Sequence, residues 1–179
     1  MSTAQELLDE VRATQGQRWM LALVSVIAPA LGCVAIGAAS GQPSAAVTSL
    51  VALLAFGSSL RPDSHVGALV MVAVVWYWLA RVDDPATAWS IAVAMSLLVF
   101  HTTTALMAVT SRSGVLGREI LGPWLWRTVV VAVGTIATWA LVVVLDRRHA
   151  AGNALLTLGA VVALGGATLV VRARSMPRP

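Results

Sequence analysis

Apolar residues along this chain come in long blocks separated by short polar stretches, not at the spacing of a half-buried strand or a soluble amphipathic helix. Each block is roughly 16 to 26 residues, enough to cross a ~30 Å hydrocarbon core at ~1.5 Å per residue. The pattern predicts six spans, from about Trp19 to Ser40, Ser44 to Leu60, Ser64 to Ala80, Pro85 to Thr110, Pro123 to Leu145 and Asn153 to Val171. The second and third are short, and a thinned bilayer or a snorkelling Arg61 would accommodate them. Pro29 predicts a kink in the first span, since proline removes a backbone donor and crowds the preceding turn.

Polar punctuation fixes the remaining boundaries. Residues 1–18 predict a cytoplasmic amphipathic helix, with Thr3 as N-cap, Glu6 as its capping-box partner, and Leu7, Leu8 and Val11 on one side. Glu6, Asp9 and Glu10 ahead of a long apolar block argue for an uncleaved first span. In RPDSHVG, proline stops one helix and Asp63 or Ser64 caps the next; Asp84 and Pro85 mark the start of the fourth span. Residues 19–172 then form the transmembrane domain and 173–179 a basic cytoplasmic tail. The loop SRSGVLGREILG leads into the fifth span and, with Trp124 and Trp126, suits an interfacial segment against anionic lipid. Trp76, Trp78, Trp89, Trp124 and Trp126 fall near span ends, as an aromatic belt requires.

Composition agrees with the pattern. Of 179 residues, 58% are hydrophobic and 11% charged, which no water-soluble fold of this size could bury. All the basic residues are Arg, and their placement sets an orientation. With the N-terminus inside, Arg12, Arg18, Arg61, Arg112, Arg118, Arg127, Arg172, Arg174 and Arg178 are cytoplasmic and only Arg81, Arg147 and Arg148 are outside, which satisfies the positive-inside rule with both termini in the cytoplasm. The arginines sit at block ends rather than on one stripe, so a nucleic-acid partner is not expected despite a pI near 11.0. The expected fold is an all-α polytopic transmembrane bundle of six spans in a bacterial cytoplasmic (inner) membrane.

Few residues offer chemistry. His101, in LLVFHTTTALMA, is an ionisable group well inside a span, and such groups face a bundle interior or a watery cavity. The structural alternative is a neutral imidazole bonded to a neighbouring helix, with Thr102 or Thr104 taking part. Asp63 and His65 lie at the cytoplasmic mouth of the adjacent span, where turn chemistry accounts for much of RPDSHVG. Together Asp63, His65, His101 and Thr104 make a candidate polar pocket for a proton relay, while two His and one Asp without tight spacing are a poor metal set. No GxSxG or HExxH occurs, Thr residues in membrane helices commonly bond their own backbone, and Cys33 is a lone thiol. No catalytic residue, cofactor or metal is therefore expected. Small residues at helix-packing spacing, Ala28 and Gly32, Cys33 and Gly37, then Gly159, Ala163 and Ala167, predict close helix approach.

The segments LRPDSHVG, WYWLA, DDP and LLVFHTTTALMA, within residues 50 to 130, resemble small multi-pass membrane proteins of unknown function from high-GC Gram-positive (actinobacterial) bacteria. The resemblance implies a partner role in envelope assembly and carries over no active-site residue. The reading that follows is a non-enzymatic membrane subunit or scaffold of a cell-envelope complex, with membrane-protein partners or self-association. The alternative is a small transporter or channel using the pocket around His65 and His101.

Overall fold

Gly41 ends the first helix because glycine takes a left-handed backbone at little cost, and its φ is +66°. Pro43 follows, and Ser44 starts the next helix: its extended backbone (φ −121°, ψ 102°) leaves Oγ to accept from the Val47 amide at 3.4 Å. In the computed structural model, which describes residues 3–61, 65–84, 86–113 and 118–147, this turn joins α1 (Thr3–Ser40) to α2 (Ala45–Leu60). The chain continues through α3 (Val66–Arg81), α4 (Trp89–Ser113) and α5 (Arg118–Arg147), with no strand among the described residues. The all-α class is as expected.

Three stretches are long and apolar enough to cross a membrane: Gly16–Ser40 in α1, Trp89–Val109 in α4 and Leu121–Val144 in α5. At 16 residues each, α2 and α3 span about 24 Å, short of a ~30 Å core. The expected sixth span and the 173–179 tail lie outside the described residues.

Several boundaries differ from the expectation. The amphipathic lead-in and the first span are one continuous helix, with Pro29 buried inside it. Pro29 has no N–H to give the Ser25 carbonyl. Asp84 does not cap α4. Its Oδ1 accepts from the Ala86 amide at 2.8 Å and closes a turn, and α4 begins only at Trp89 after the Ser90 and Ile91 amides have bonded the Thr87 and Ala88 carbonyls. At α3 the N-cap position falls on His65, whose side chain makes no capping bond; Asp63 and Ser64 lie outside the described residues. α5 already begins at Arg118, so Pro123 sits inside it.

The chain divides into two compact units, Met1–Leu141 and Val142–Pro179, and the packing of α1 to α4 lies within the first. There α1 is central: it packs most extensively on α4, then on α2, and also on α3. Short connections make successive helices antiparallel, and the Arg81 guanidinium donates to Gln42 Oε1 at 2.6 Å, which ties the end of α3 to the α1–α2 turn. The buried cluster is built from Ala28, Cys33, Ala35 and Ile36 of α1, Val51 and Ala55 of α2, Val70, Val74 and Tyr77 of α3, and Val93 and Phe100 of α4.

Most of this interior is small, whereas the large apolar side chains point outward. Leu53 is 68% exposed, Trp76 72% and Leu125 67%, and Leu23, Leu31, Val72 and Leu79 are exposed as well. In water such a surface would aggregate; against lipid tails it costs nothing, and close helix contact then depends on small residues inside.

Candidate functional site

Among the described residues the buried polar side chains of the bundle are mainly hydroxyls rather than charges. Ser25 of α1 and Ser59 of α2 face each other with their oxygens 2.7 Å apart. Each hydroxyl also reaches its own helix, Ser25 to the Ala22 carbonyl at 2.8 Å and Ser59 to the Ala55 carbonyl at 2.9 Å. One proton bridges the helices while the other stays local, so no buried hydroxyl in the pair is orphaned. Interhelical bonds of this kind contribute about 0.6 kcal/mol in a membrane interior. Ser58, Ser96 and Thr103 are buried too and donate to carbonyls of their own helices.

The small residues of α1 explain why the helices come this close. A Cβ placed on Gly32 would collide with Ser96 Oγ of α4, and one placed on Gly37 would lie 2.8 Å from Pro43 Cα. Ala28, Gly32, Cys33 and Gly37 are all buried, so both α1 ridges serve internal packing. Gly159, Ala163 and Ala167 lie outside the described residues.

Of the four pocket candidates, Asp63 lies outside the described residues. His65 is exposed at the start of α3, where its carbonyl accepts from the Leu69 amide at 3.1 Å. His101 is exposed on α4, because its neighbours Phe100 and Thr103 take the inward positions. Thr104 is half-buried and its hydroxyl donates to its own helix, with the Phe100 and His101 carbonyls both 3.0 Å away. Thr102 likewise donates to the Leu98 carbonyl at 2.7 Å, so neither threonine holds the imidazole. The helices that carry the two histidines do meet: a Cβ on Gly67 would sit 4.0 Å from the Phe100 ring. Phe100 fills that contact, and no side-chain bond joins His65 to His101. Among the described residues no group of three His, Cys, Asp or Glu is placed to hold a metal ion.

Three features were not anticipated from the residue pattern. Tyr77 is buried, with its hydroxyl making no hydrogen bond among the described residues, and the Arg81 guanidinium lies 5.8 Å from its ring centre. On α5, Trp139 Nε1 donates to the carbonyls of Ala86 at 3.2 Å and Thr87 at 3.1 Å, the two that precede α4. At the opposite end of the bundle, Arg18, Trp19 and Ala22 of α1 and Phe56, Ser59 and Leu60 of α2 line an open groove of about 260 Å³. The signal for the first and third was present as a Tyr or an Arg beside an apolar block, but pairing across helices is invisible to such a pattern.

No protein-family model, curated protein or solved structure matches the chain. Its functional reading therefore rests on its own geometry.

Proposed function

We propose that the chain is a non-enzymatic, multi-pass subunit or scaffold of a cell-envelope complex, seated in the bacterial cytoplasmic membrane and joined to membrane partners through α5. The supporting observation is the condition of that helix. No residue of its apolar stretch Leu121–Val144 is buried. The Trp139 indole ties it to the turn before α4. A helix that leaves Leu125, Val129, Val133 and Ile136 exposed on one side suits a second protein.

The proposed arrangement is six spans with both termini inside. The Gln42–Arg81 bond and the Trp139 contact gather the α1–α2 turn, the end of α3 and the start of α4 at one end. Arg18 and Arg61 then fall at the other end, and the positive-inside rule makes that end cytoplasmic.

A photo-crosslinking amino acid placed in living cells at Val130 or Leu141 of α5, against Leu53 of α2 as reference, tests the partner. All three positions are exposed. A discrete protein adduct at the α5 positions and none at Leu53 is the expected result. Lipid adducts alone at all three would refute the subunit reading. Orientation is read separately, with Gln42→Cys and Arg61→Cys in a Cys33→Ala background: an impermeant maleimide on intact cells should label only the former.

A further inference from the structure

The groove at the arginine end of α1 and α2 has a charged rim and an apolar wall. Arg18 lines it, is exposed, and is neither hydrogen-bonded nor ion-paired among the described residues. The Ser25–Ser59 pair sets the register, and Arg18, seven residues before Ser25, lies on the same side of α1 and so crowns the seam between the helices. Below it Phe56 and Leu60 remain exposed and Ala22 leaves the space between the helices open. The Ser59 hydroxyl at the floor is already satisfied by Ser25 and by its own helix, so polar recognition falls to Arg18.

We propose that this groove binds an anionic phospholipid, its phosphate on Arg18 and the upper part of one acyl chain along Ala22, Phe56 and Leu60. A guanidinium presents a planar pair of donors that matches a phosphate bidentately, and Trp19 beside it is the amphipathic ring favoured at headgroup depth. A volume of about 260 Å³ takes a headgroup phosphate and the start of a chain rather than a whole lipid. Charge complementarity selects an anionic over a zwitterionic lipid, and the apolar wall selects a lipid over free phosphate. The site is independent of α5, so it stands or falls apart from the partner reading above.

The full chain in dodecyl maltoside, titrated with dioleoylphosphatidylglycerol or dioleoylphosphatidylcholine and followed by native mass spectrometry, tests it. Phosphatidylglycerol should bind in preference, and excess inorganic phosphate should not displace it. Arg18→Gln should weaken binding about fivefold, the worth of one arginine at an anionic surface. Ala22→Phe fills the groove without changing charge and should abolish the preference, whereas Arg127→Gln, which removes the same charge from α5, should leave it intact. Equal losses from Arg18→Gln and Arg127→Gln, unchanged binding in Ala22→Phe, or displacement by phosphate would each overturn the site. Arg18 is exposed, so its variant tests the idea even where Ala22→Phe fails to fold.

Discussion

Placing a methyl group on Gly32 tests how the bundle is held together. The added Cβ collides with Ser96 Oγ, while Ser96 Cβ at 3.4 Å and Val74 Cγ1 at 3.8 Å remain tolerable neighbours. Ser96 must then turn its hydroxyl away from the Val93 carbonyl, which it now reaches at 2.7 Å, or α1 and α4 must separate. Overpacking of this kind costs about 1–3 kcal/mol. Replacing a helical glycine by alanine recovers about 1 kcal/mol, so Gly32→Ala should destabilise by a net of about 1 kcal/mol. Ser96→Ala alone loses one intrahelical bond and should cost less. In the double variant the obstructing oxygen is gone and the two methyl carbons sit at ordinary contact, so it should be at least as stable as Ser96→Ala. The coupling should reach about 1–3 kcal/mol, read from unfolding in mixed micelles with rising dodecyl sulfate, followed by tryptophan fluorescence. Additivity within about 0.5 kcal/mol would refute the close approach of the two helices. Gly37→Ala serves as the contrast. It meets backbone, Pro43 Cα at 2.8 Å, so no side-chain truncation should rescue it and its cost should exceed that of Gly32→Ala.

Two further predictions concern the other unexpected contacts. A buried hydroxyl without a partner costs about 1–3 kcal/mol, so Tyr77→Phe should match or exceed the wild type in the same unfolding assay; a loss above about 1 kcal/mol would mean that the phenol has a partner. Trp139→Phe keeps the ring and removes the indole donor, and faster amide exchange at Ala86 to Ile91 is expected; unchanged exchange would show that the Trp139 bonds do not restrain that turn.

Much of the fold was legible because hydrocarbon imposes length and polarity on a chain more strictly than water does. The α2 boundaries at Ser44 and Leu60 and the end of α3 follow directly from where polar residues interrupt apolar ones. Asp84 misled because a short carboxylate can close a turn as readily as cap a helix, and only the Ala86 amide it accepts from decides between the two. His101 shows the limit more sharply. Its depth along α4 can be counted from the sequence, but its direction depends on which neighbours the other helices bury. Phe100 and Thr103 took those places and left His101 outside. The threonines behaved as expected, with Thr128, Thr135 and Thr138 also turned onto their own helix at 2.8 to 2.9 Å. The groove at Arg18 and the Gly32–Ser96 contact depend on register between helices, which composition and periodicity do not encode.

The Ser25–Ser59 pair bears on how such a chain is made. On its own α2 is a segment of 16 residues, shorter than a ~30 Å hydrocarbon core requires. The three-residue connection after Gly41 and the waiting hydroxyl on α1 give it a docking edge before it meets the acyl chains. The α1–α2 hairpin is thus the smallest unit in which that hydroxyl pair and the turn that aligns it are both complete.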